Sequence, residues 1–81
     1  MIVYDWSISR QSTERFLQLR AAERRILLDH FDQLAANVHL DPVANFTASD
    51  GKEFAISTVG KYVITYHVDH AVKMINITAI E

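Results

Sequence analysis

From Arg10 to Val38 the 81-residue chain holds no glycine or proline and keeps a helical rhythm. As one helix this run would reach about 43 Å, longer than a domain of this size is wide. The run must fold back on itself, and a break at Leu19 to Ala22 gives an antiparallel helical hairpin. Leu27, Phe31, Leu34 and Val38 recur at helical spacing and form the apolar stripe of the second helix. Leu28 and Ala35 widen it, while Arg24, Arg25, Asp29, Asp32 and Gln33 fall largely on the other side. Phe16, Leu17 and Arg20 fit one face of the first helix, and Ser7 or Ser9 can cap its start.

On either side of this run the pattern changes to strands. Met1 to Trp6 is rich in β-branched and aromatic residues and reads as a short first strand. Asn37, His39 and the Asp41-Pro42 pair end the second helix, since proline disfavours helical backbone at the residue before it. A loop of about twelve residues follows, anchored by Phe46 and closed by the turn Ser49-Asp50-Gly51. Period-two alternation then gives three strands joined by tight turns at Val59-Gly60-Lys61 and Asp69-His70-Ala71, the last strand running from Val72 to Ile80. The order is β-α-α-β-β-β. It predicts an α+β fold, a helical hairpin packed on a mainly antiparallel four-stranded sheet, as one domain over residues 1–81. Phe16, Leu27, Phe31, Leu34, Ile56, Ile64 and Tyr66 should be buried.

The net charge of −2 argues against a dedicated nucleic-acid binder, yet it is unevenly spread. Residues 10 to 25 carry a local +3 from five arginines, and the chain from Ile26 onward carries −4. With no cysteine there can be no disulfide or thiolate chemistry, which suits a cytoplasmic protein. No apolar run is long enough for a membrane span, and the start MIVYDWSISR lacks the pattern of a secretion signal.

Several runs carry a family likeness: Asp5-Trp6-Ser7 closing the first strand, Leu34-x-x-Asn37 late in the second helix, Asp50-Gly51 before the meander, and above all Gly60-Lys61-Tyr62-Val63-Ile64-Thr65-Tyr66-His67-Val68-Asp69. With the element order, these resemble the RelE/ParE superfamily, toxins of bacterial type II toxin–antitoxin and plasmid-stabilisation modules. The likeness implies a toxin acting on translation, as an mRNA interferase, or on gyrase, with a cognate antitoxin as partner and no cofactor or metal. Two departures bear on activity. Relatives that cut mRNA on the ribosome usually place a basic residue where Val63 stands, and they continue past the final strand into a basic tail, whereas this sequence stops at Ile80-Glu81.

Without a metal, phosphodiester cleavage needs cations at the scissile phosphate. If the superfamily's chemistry is retained, Lys52 and Lys61 would neutralise phosphate, and Glu53 or His67 would take the 2′-hydroxyl proton. The same charges could instead guard the sheet ends against edge pairing. Arg20, Arg24 and Arg25 form the matching patch for an antitoxin, ribosomal RNA or gyrase, or else an ordinary solvated surface. Three functions stay open: a toxin, a non-catalytic relative that binds a peptide, and an unrelated small α+β homodimer.

Overall fold

The computed structural model describes residues 3–38 and 42–81. Met1, Ile2, His39 and Asp41, invoked above for the first strand and the helix end, lie outside them. The chain runs β1 (Asp5–Ile8), α1 (Arg10–Leu17), α2 (Ala21–Ala36), β2 (Ala44–Thr47), β3 (Glu53–Val59), β4 (Tyr62–Asp69) and β5 (Met74–Ile80). The sheet order is β1-β5-β4-β3-β2, antiparallel except for the parallel β1–β5 pair. Both helices lie on one face.

Ser9 caps α1: its hydroxyl accepts from the Ser12 amide, and the two hydroxyls lie 2.9 Å apart. The Ser9 amide also donates to the Ile77 carbonyl at 2.9 Å, which ties the helix start to β5. The break between helices falls at Gln18 to Arg20 with no glycine or proline to mark it. Leu19 is what fixes it, buried in the core while Arg20 adopts an extended backbone. From α2, Leu27 and Phe31 are fully buried, and the Trp6 ring meets Phe31 edge-on at 5.1 Å.

Tyr62, Ile64 and Tyr66 of β4 and Ile75, Ile77 and Ile80 of β5 complete the core. Strand alternation would send Ile77 and Ile80 to opposite faces. A bulge resolves this: Tyr66 pairs with Ile77 and Thr65 with Ala79, so Thr78 is the extra residue and Ile80 returns to the core side. The Thr78 hydroxyl donates to the Thr65 carbonyl at 3.2 Å across the irregularity.

The structure corrects five expectations. A fifth strand, β2, occupies the supposed loop, and Asp50-Gly51 closes the β2–β3 hairpin. Phe46 does not anchor against the core: it is 45% exposed and stacks on Phe54 on the face away from the helices. Ile56 shares that outer face, because the two-residue Gly60-Lys61 turn sets a register pairing Ser57, not Ile56, with core-facing Ile64. Leu17 is exposed rather than packed beside half-buried Phe16, and β5 begins at Met74 after a turn that leaves Val72 exposed.

Candidate functional site

Where the helical hairpin meets the β3–β4 turn, four segments bring charged groups together. Arg15 comes from the last turn of α1, Arg20 from the N-cap of α2, Glu23 from its first turn, and Lys61 and Tyr62 from the turn and start of β4. The Tyr62 hydroxyl donates to Glu23 Oε2, and Lys61 Nζ lies 3.4 Å from Glu23 Oε1. The Arg15 guanidinium and the Lys61 ammonium stand 6.0 and 5.5 Å from the Tyr62 ring centroid. With Gln18 these residues line an open cleft of about 390 Å³.

The electrostatics define what the cleft can do. The hydrogen bond from Tyr62 is the main cause holding the Glu23 carboxyl below its usual range; Lys61 and Arg20 act in the same direction, against a desolvation cost. The same hydrogen bond, with burial and the nearby carboxylate, raises the Tyr62 phenol. Near neutral pH the pair is therefore a carboxylate and a neutral phenol. A carboxylate so stabilised is a weak general base. Three cations around one carboxylate leave the cleft with a surplus of positive charge.

The proposed residues divide between two places. Lys61 and Arg20 belong to the cleft, with Arg24 half-buried and Arg25 exposed further along α2. Lys52, Glu53 and His67 lie at the opposite end of β3, where His67 Nδ1 donates to the Glu53 carbonyl at 2.8 Å. The seven residues of β3, at about 3.3 Å each, hold the two ends roughly 20 Å apart, so one phosphate cannot meet both Lys52 and Lys61. Val63 faces away from the helices, and its backbone exchanges hydrogen bonds of 2.7 and 2.9 Å with Glu81. None of the five strands contains lysine or arginine. Arg15, Glu23 and Tyr62 escape a reading from sequence, since Tyr62 alternates as a core residue and Glu23 reads as a mere countercharge; the Glu at the third helical position was the available signal.

Away from the cleft, His30 Nε2 is hydrogen-bonded to the Ser57 hydroxyl at 2.8 Å, and burial lowers the His30 pKa from its ordinary 6.5. The unfolded chain then binds the proton more readily than the folded one. Stability from this group is complete above pH 6.5 and falls as the pH drops through 6.5 towards the folded value. Urea titrations at pH 7.5 and at about 5.5 should show the wild type losing more stability than His30→Asn.

No protein-family model and no curated relative matches the chain in sequence. Its fold does match solved structures. The archaeal RelE–RelB complex from Pyrococcus horikoshii OT3 aligns with a TM-score of 0.80 at 19% identity, over 99% of this chain and 94% of that one. The toxin–antitoxin complex RelBE2 from Mycobacterium tuberculosis aligns at 0.78 and 11% identity, over 99% and 98%. The chain has a RelE-like fold. Its likeness to these structures is one of fold, as the sequence resemblance led one to expect.

Proposed function

We propose that the protein is the toxin-type member of a toxin–antitoxin pair, held inactive by an acidic antitoxin that engages its arginine-bearing helical hairpin. The observation that carries this reading is the RelE-like fold over 99% of the chain, joined to cations gathered at the hairpin tip. The free protein acts on the ribosome, or on gyrase, by binding. Cutting RNA is disfavoured because the strands lack lysine and arginine and Val63 replaces the expected basic residue. Antitoxin capture follows from the same charges, since a disordered acidic segment can bury wide surface and is steered by opposite charge.

Induced expression in a bacterium tests the proposal. Growth should stop, and co-expression of the acidic protein encoded beside this chain should restore it. Pulse labelling of protein synthesis and assays of DNA supercoiling separate the two targets. Primer extension on translated messages should show no new ends at defined codon positions; such ends, lost in Lys61→Ala or Lys52→Ala, would establish cleavage instead. Unimpaired growth together with a salt-insensitive homodimer that buries the hairpin would reject the toxin reading.

A further inference from the structure

The cleft between α1, α2 and the β3–β4 turn already displays how it holds an oxyanion. The Glu23 carboxylate occupies it, taking the phenol hydrogen bond from Tyr62 and lying 3.4 Å from the Lys61 ammonium. That internal anion satisfies only part of the cleft. Among the described residues no salt bridge closes on Arg15 or Arg20, and Gln18 adds a further donor on the wall. Tyr62 is almost completely buried and forms a rigid floor, with Arg15 and Lys61 both within 6.0 Å of its ring centroid. Arginine's planar fork of donors suits two oxygens of one phosphate, and lysine contributes a point charge.

We infer that this cleft is a binding site for a phosphate monoester, bound as a dianion by Arg15, Arg20 and Lys61 beside the Glu23–Tyr62 pair. Charge decides between phosphate classes. Three cations less one carboxylate match a dianion, whereas a backbone diester would leave one positive charge uncompensated. Glu23 has a double part: it positions Lys61 and Tyr62, and it competes for the same cations. The inference is independent of the toxin–antitoxin reading, because it concerns the isolated chain and not its effect on growth.

Calorimetric and phosphorus NMR titrations of the full chain with inorganic phosphate, at constant ionic strength, test it. Saturable one-to-one binding is expected. Arg15→Gln or Lys61→Gln should weaken it at least about tenfold, the scale of a lost charge-assisted hydrogen bond. Lys61→Arg, which keeps the charge, should retain most of the affinity, and Glu23→Gln should tighten it by removing the competing anion. Two RNA oligonucleotides differing only in a 5′-phosphate identify the source. Tighter binding of the phosphorylated one than of free phosphate assigns nucleic-acid ends, and equal binding assigns free phosphate or a mononucleotide. If the unphosphorylated oligonucleotide binds as well as its twin, the cleft reads backbone diesters and the monoester assignment falls. Failure to saturate, or variants that bind like the wild type, overturns the site altogether.

Discussion

Phe31→Ala should cost about 3–5 kcal/mol of folding stability, the range for emptying the space of a buried phenylalanine. Phe31 of α2 is fully buried in the core cluster it shares with Ile64, Ile75 and Ile77, and its ring meets that of Trp6. The domain has little to lose. At roughly 0.05–0.15 kcal/mol per residue, a chain of this length holds on the order of 4–12 kcal/mol in all. One substitution can therefore bring much of the population to the unfolded side. Collapse around the vacated space is limited, because Trp6 is fastened from outside the core: its indole Nε1 donates to Asp32 Oδ1 at 2.8 Å. The only tryptophan of the chain is thus a built-in reporter of this contact. Urea unfolding followed by its fluorescence should show the loss as a lower midpoint with an unchanged slope. Phe31→Leu, which keeps most of the volume, should cost no more than about 1.5 kcal/mol. A Phe31→Ala cost below about 1 kcal/mol would mean that α2 does not sit on the sheet in this register.

Local rules made much of this architecture legible. The helical stripe placed Leu27 and Phe31 in the core, and alternation did the same for Ile64 and Tyr66. Gly60 was recognisable as a turn residue, and its φ of +56° is a value glycine tolerates without strain. What escaped depends on partners far away in sequence. β2 is four residues long and exposed throughout, so it has neither alternation nor a buried face to announce it. The face of β3 could not be read either, since Phe54, Ile56 and Thr58 look more core-like than Ala55, Ser57 and Val59. Only pairing with β4 reveals that the smaller set lies beneath α2, where Ser57 meets His30. The cleft is the clearest case. Tyr62 and Glu23 are separated by 39 residues, and neither carries a motif. The basic run in the helices could be seen in the sequence; the anion it surrounds could not.

Reversing Arg20, Arg24 and Arg25 to glutamate should slow association with the acidic partner about 10- to 100-fold at low salt, within the range electrostatic steering supplies. The substitutions turn a local +3 over residues 10 to 25 into −3, so the hairpin that attracted an acidic chain would repel it. The fold should survive. Among the described residues none of the three arginines closes a salt bridge, and α2 is held by Leu27 and Phe31 rather than by surface charge. A nearly unchanged melting temperature therefore separates loss of steering from loss of structure. Stopped-flow association measured against ionic strength is the decisive experiment. At about 1 M salt the screening length shrinks to roughly 3 Å, and wild type and variant should then associate at similar rates. Lys52→Glu, a reversal at the far end of β3, is the internal control and should change the rate little. Equal rates for wild type and triple variant at low salt would show that the partner approaches by another face. The aromatic pair of exposed Phe46 and half-buried Phe54, on the side of the sheet the helices leave open, would then be the surface to test, because apolar contact there would be insensitive to salt.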